Sequence, residues 1–552
     1  MSTTDITDTA VTSAVPSDEA ARAGGLGALA TWFTTADSKV IGRNLIGTSL
    51  LALLATAVVG ALLGAERIDG ADSLIDADAL PQLFTAYRVG LVYGVLVPLL
   101  LGIAVAVVPL QLGARSLAFP RVAAAGFWTW LGGLILTIVA LADNGGPGGG
   151  NADMVDLYLA AQALMLIGLA AVAMCVATSV LTTRAPGMRM SRVPFFSWSA
   201  LIASVGLVLA LPVALGVVIY LYVDHHYARA LFGGNTGVGS WTAFVLTQPA
   251  TYLFALPAIG VFAEIVPVTF RKRMPLRPVV LTGLALVGVA ALSIVTQQPL
   301  HELPWSGSGL SFDEFGTKFG DLLPYALFML LPLLGAVIVL ALGALAAKPE
   351  GTSPRLTPSF LFAFFGLGMI LVGMVGGALL PITDLGLQGT VFEEAATVYV
   401  VYGGVLGALG GIAWWLPKWS GRVVPSGPAM GLALLGVLAT ILAALPYYIA
   451  GFADQPAATG TYDYEGPSAL WNTLALVGHG LMALVVLGFA GLALRPARGR
   501  AATQGVGDDP WGGHTLEWLT TSPAPAVNFQ EVPTVMSPEP VLDLHGPEGA
   551  ER

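Results

Sequence analysis

The side chains that could bind a transition metal are few and scattered. Six histidines, His225, His226, His301, His479, His514 and His545, share a chain of 552 residues with a single cysteine, Cys175. One cysteine forms no intrachain disulfide, and there is no cysteine cluster for a dinuclear copper or iron–sulfur site. Asp224-His225-His226 is a run that could ligate a metal weakly, with a polar cap at a membrane interface as the plainer reading. His479 stands alone in an apolar stretch, as a metal ligand or as a hydrogen-bonded packing residue. Charge in apolar stretches says more: Arg88, beside Tyr87, and the pair Glu393 and Glu394 lie where an ion needs a partner or a route to water. A bidentate ion pair between Arg88 and one of these glutamates is predicted, against the alternative that Arg88 snorkels outward and the glutamates stay at the surface.

The elements that must position these groups are transmembrane helices. Hydrophobic residues make up 55% of the chain and charged ones 11%, with mean hydropathy +0.78, which excludes a soluble multidomain protein. Nothing in this composition points to nucleic acid; the lipid bilayer is the partner it implies. Twelve apolar runs long enough to cross a bilayer can be marked, at about 44–66, 84–112, 121–143, 155–182, 194–223, 241–270, 276–298, 321–347, 358–381, 393–417, 427–450 and 470–495. They are expected to be helices, since lipid offers a backbone no other partners and barrel-type alternation is absent. Residues 1–38 read as a disordered leader without signal-peptide features, 39–497 as the twelve-helix domain and 498–552 as a tail. Lys and Arg gather in the loops on one side, among them Lys39, Arg43, Arg115, Arg189, Arg192, Arg271, Lys272, Arg273 and Lys418, while the other side keeps Arg67, Arg229 and Lys318. That bias predicts a multi-pass cell-membrane protein with both termini in the cytoplasm and an acidic outer face.

Several islands, in order, resemble subunit I of cytochrome c oxidase, of the haem-copper oxidase superfamily. They are Thr34-Thr35-Ala36-Asp37-Ser38-Lys39-Val40-Ile41-Gly42, Gln82-Leu83-Phe84-Thr85, Val108-Pro109-Leu110-Gln111-Leu112-Gly113-Ala114, Trp415-Leu416-Pro417-Lys418-Trp419-Ser420-Gly421, and a tail running from Asp509-Pro510-Trp511-Gly512 through Thr515-Leu516-Glu517-Trp518 to Asn528-Phe529. In Trp241 to Lys272 the family's His-Pro-Glu-Val-Tyr stands as Gln248-Pro249-Ala250-Thr251-Tyr252. The resemblance implies an all-α, twelve-helix membrane bundle.

It also implies two haems and one copper held by six histidines, and here the sequence departs from the pattern. The positions matching the haem ligands carry Tyr87, Ala396 and Val398. Those matching the copper ligands carry Gln248 and, within a loosely aligned stretch, Gln297 and Gln298, with His301 the one possible survivor. Tyr252 keeps the family's redox-tyrosine position, and Tyr447-Tyr448 replaces the arginine pair that clamps haem propionates, leaving nothing cationic there. Ser116, Ala123, Ala250 and about Ala336 stand where the family's proton paths carry polar groups. The expectation is therefore a chain without cofactors. Three functions remain open: a non-catalytic scaffold or accessory subunit among other membrane subunits of a respiratory or other complex; a working terminal oxidase subunit with rewired ligands; or a transporter or small-molecule binder using vacated cavities.

Overall fold

A computed structural model describes residues 33–70, 73–297, 322–347, 354–463, 466–495 and 506–544. Most of the expected leader, and both Gln298 and His301, lie outside the described residues. Among those described there are twelve helices long and apolar enough to cross a membrane and no strand, one isolated bridge between Thr390 and Pro456 aside. They are α1 (Ser38–Glu66), α2 (Ala79–Gln111), α3 (Pro120–Ala142), α4 (Ala152–Thr182), α5 (Phe195–His226), α6 (Gly234–Thr269), α7 (Arg277–Val295), α8 (Leu323–Ala346), α9 (Pro358–Leu379), α10 (Phe392–Ser420), α11 (Ser426–Phe452) and α12 (Ser468–Ala493).

The apolar stretches of α2, α6 and α10 are buried on all sides, while the other nine helices each keep a face outward. The bundle is thus a ring around three central helices. Neighbours in sequence pack as pairs, α3 on α4, α9 on α10 and α11 on α12, and α12 closes the ring against α1. Two of the central helices are irregular. In α2 a π-helical segment, Gly90–Leu96, follows Tyr87 and Arg88, and the Tyr93 carbonyl within it accepts a hydrogen bond from Trp130 Nε1 at 2.8 Å. In α6 the helix breaks after a 3₁₀ turn at Ala243–Val245 and resumes at Ala250, so Gln248 sits on the break.

The tail folds back over the bundle end from which α1 starts. Asn528 accepts from Lys39 Nζ at 2.9 Å, and the buried Lys418 ammonium donates to the Asp508 and Thr520 carbonyls at 2.7 and 2.6 Å. Trp511 stacks on Trp414 and donates to its carbonyl at 2.9 Å, and Arg273 pairs with Asp543. Since Lys418 anchors two carbonyls through charge-assisted bonds, Lys418→Met is expected to loosen the tail by about 2 kcal/mol, read as faster proteolysis between residues 506 and 544.

Docking of the tail is also tied to pH. Burial, with Arg273 nearby, holds the His514 imidazole down to about 4 from its ordinary 6.5. A released tail takes up a proton below about 6.5 that the docked tail refuses, so the histidine's contribution to docking falls as pH drops from there towards 4 and changes no further below. Glu517, Asp509 and Glu539, pushed upward by burial, act in the opposite sense. The comparison of parent with His514→Gln isolates the histidine, and the variant should lose an acid-dependent penalty on the order of 3 kcal/mol.

Candidate functional site

On the side opposite the tail, Arg67, the residue that follows α1, is 1% exposed. Its guanidinium grips Glu394 on the first turn of α10 through two hydrogen bonds of 2.9 Å each. Nε donates to the Thr459 carbonyl at 3.2 Å, and the Ala458 amide donates to Glu394 Oε1 at 3.2 Å. Phe84 and Tyr447 lie against the guanidinium at 4.8 and 5.4 Å. Tyr462 and Asn472 both donate to the Arg67 carbonyl at 2.8 Å. The predicted pair with Arg88 does not form: Glu394 is taken by Arg67, and among the described residues no ion pair joins Arg88 to Glu393 or Glu394. Arg88 and Glu393 are both half-buried. The expectation that nothing cationic stands by Tyr447-Tyr448 is corrected by the same contact. Tyr448 turns away, stacking on Phe392 at 4.2 Å and donating to the Val372 carbonyl at 3.2 Å.

Deeper in the bundle, His479 of α12 joins two tyrosines. Tyr402 Oη is 2.7 Å from Nδ1, and Tyr87 Oη is 3.3 Å from Nε2. Both ring nitrogens are engaged and the ring is 2% exposed, so His479 is a hydrogen-bonded packing residue and not an open metal ligand. A neutral imidazole has one donor and one acceptor nitrogen, so one tyrosine donates to the ring and the other accepts from it.

Gln248 is fully buried; its Oε1 accepts from Thr397 Oγ1 at 3.3 Å, and its Nε2 has no protein partner. Tyr252, one turn along α6, donates to the Met374 carbonyl at 3.4 Å. Gly377 makes room for both, since a Cβ there would stand 3.0 Å from Gln248 Cγ and overlap the Tyr252 hydroxyl. Ala396 and Val398 on α10 are buried and apolar. Gln297 is exposed at the turn after α7, against a cleft shared with Tyr220 and Trp241, and does not join Gln248. On the tail side Glu264 caps α5 by accepting from the Phe196 amide at 3.1 Å.

Residues 40–489 match the model of the family described as cytochrome C and quinol oxidase polypeptide I. The chain belongs to that family. It is similar to cytochrome c oxidase subunit 1 of Corynebacterium glutamicum, 29% identical with 94% of this chain and 89% of that one covered. It is also similar to cytochrome c oxidase subunit 1 of Bacillus subtilis, 24% identical over 94% and 86%, and to cytochrome bo(3) ubiquinol oxidase subunit 1 of Buchnera aphidicola, 28% identical over 93% and 79%. With twelve apolar helices, this is a multi-pass cell-membrane protein of the oxidase family.

Family membership overturns the expectation that the chain takes no cofactor, because these oxidase polypeptides bind haems and copper. The side chains at positions 87, 248, 396 and 398, as placed, do not fit the family's ligand set. None is an imidazole, two are aliphatic, and the Tyr87 hydroxyl and the Gln248 carbonyl oxygen are already hydrogen-bonded.

Proposed function

We propose that this oxidase-family chain works as a non-catalytic accessory subunit within a respiratory or other membrane enzyme complex, helping to hold its neighbours together. The observation that carries this reading is the mutual satisfaction of polar groups where reactive ones were expected: Arg67 with Glu394, and His479 with Tyr87 and Tyr402. Such closed networks fix helix against helix and commit these five side chains to one another. The transporter reading has less support. Three clefts of about 370, 530 and 410 Å³ have linings that include neither Arg88, Glu393, Glu394 nor Gln248. Both termini are proposed to face the cytoplasm, on the strength of the Lys and Arg bias towards the tail side.

The test is purification of the tagged full chain from its own membranes in mild detergent, with subunit identification and oxygen uptake from a reduced electron donor. An accessory role predicts stoichiometric co-purification with other membrane subunits, and a turnover per complex that Tyr252→Phe leaves unchanged. Oxygen reduction that falls tenfold or more in Tyr252→Phe would replace this reading with that of a working oxidase subunit. A chain that purifies alone would also sink it.

A further inference from the structure

Two acids from distant parts of the chain meet where the tail covers the bundle. Glu264 lies in the last turns of α6, and Glu517 in the tail's short 3₁₀ turn, Leu516–Leu519, where it is 0% exposed. Glu517 Oε1 accepts from Gln111 Nε2 of α2 and from Trp415 Nε1 of α10, both at 3.1 Å. Ser197 donates to Gln111 Oε1 at 2.7 Å, which turns that amide so that its nitrogen faces Glu517. The second oxygen, Glu517 Oε2, is buried and has no protein donor. Glu264 is better served: Oε2 accepts from the Phe196 amide at 3.1 Å and Oε1 from the Thr515 hydroxyl at 3.3 Å. That hydroxyl lies against Glu517 as well, and the two acids act on each other electrostatically.

An ionised carboxylate can only accept, so a buried one with an empty oxygen is costly, and two like charges in one buried site resist ionising together. A single proton on Glu517 Oε2 relieves both. We propose that Glu264 and Glu517 hold one proton between them while the tail is docked, resident on Glu517 Oε2, and that the tail is thereby a proton-linked latch that rising pH on its own side loosens. Only an O–H bond is made or broken: docking takes a proton from water onto the carboxylate, and release returns it. This goes beyond the accessory reading and does not rest on it.

The other charged groups nearby do not replace that proton. Lys418 of α10 acts on Glu517 electrostatically, but its ammonium is spent on the Asp508 and Thr520 carbonyls. Arg277, at the start of α7, faces Glu264 but donates to the Ser191 and Val193 carbonyls. Asp508 and Asp509 face Lys418, Glu539 faces Arg273 and Arg277, and His514 faces Arg273. Burial pushes the Glu517 carboxyl up from its ordinary 4.5, against the pull of the Trp415 and Gln111 donors. A released tail gives up this proton near 4.5, and the docked tail holds it to higher pH. The contribution to docking is therefore complete below about 4.5, falls as pH rises, and levels off once the docked pair has also lost its proton.

The test uses the detergent-purified full chain and two measurements. At pH about 6, where an ordinary glutamate is ionised, the infrared difference between parent and Glu517→Gln should show one protonated carboxylic acid, and that between parent and Glu531→Gln, an exposed tail acid, none. Glutamine keeps an acceptor for Gln111 and Trp415 and places a donor where Oε2 stood, so this variant should fold and dock. The second measurement is proteolysis between residues 506 and 544 from pH about 5 to about 8, each rate divided by that of an unfolded peptide, in a His514→Gln background that removes the histidine's opposite slope. With Glu517 present, cleavage should rise over that range about threefold or more beyond the rise seen in Glu517→Gln, within the ceiling of about tenfold per pH unit that one proton sets. Equal slopes with and without Glu517→Gln overturn the latch. A parent spectrum that loses no acid band in Glu517→Gln overturns the shared proton.

Discussion

Glu394→Gln is expected to lower the stability of the detergent-solubilised chain by about 3–5 kcal/mol, seen as a lower thermal midpoint and a larger aggregated fraction. The reason is asymmetric. The Arg67 guanidinium is 1% exposed and has spent two of its hydrogen bonds on this carboxylate, so removing the acid leaves a buried cation facing a neutral amide. Phe84 and Tyr447 soften that charge without neutralising it. Removing both partners should hurt much less. The double variant Arg67→Met with Glu394→Leu is expected to recover most of the loss, short of the contacts that the Thr459 carbonyl and the Ala458 amide no longer have, about 1 kcal/mol each. Equal losses in the single and double variants would mean that the pair is not the source of the effect.

The second large effect is expected from Gly478→Val, at about 3 kcal/mol. Gly478 lets α12 lie directly on α11. A Cβ there would overlap the Ala443 amide nitrogen and stand 2.6 Å from the Ala443 Cα and the Leu442 carbonyl carbon, all backbone atoms that cannot rotate aside. The helices must separate, and His479, the next residue, moves with them. The measurable consequence beyond a lower midpoint is a broken Tyr402–His479 bond, read as faster hydrogen exchange along α12. The exposed Gly480 has open space around its missing Cβ, so Gly480→Val on the same helix should show little of either effect. If Gly478→Val and Gly480→Val behave alike, close packing at Gly478 is not what sets the α11–α12 distance.

Much of the architecture was legible because apolar length is a strong signal: the twelve spans fall close to where runs of the right length were marked, within about six residues at most ends. What composition could not give was helix rotation. A surface helix reveals its inner face by its outward stripe, but the apolar stretches of α2, α6 and α10 are buried around their whole circumference, so no outward face leaves a stripe to read. That is why Arg88, on α2 itself, looked the better partner for Glu394 than Arg67, which sits just past the end of α1 and read as a loop charge. The break in α6 at Gln248 and the π-helical turn in α2 shift side chains further from any ideal helical register. Resemblance carried the family correctly. It also led to the expectation of a chain without cofactors, an inference from missing histidines that membership in the family overturns.

The bond between Lys39 and Asn528 joins residues 489 positions apart, at 2.9 Å. A ribosome adding about 5–20 residues per second needs roughly 25–100 s to travel from one to the other. During that interval α1 is already in the membrane with its lysine answered only by Asp37, at 2.9 Å, and each later helix enters a bundle whose end is still uncapped. The tail is thus a seal applied last. A chain halted before it would keep its greasy helices but present Lys418 and Arg273 without their tail partners at one surface, a mark by which quality control could tell an unfinished copy from a finished one.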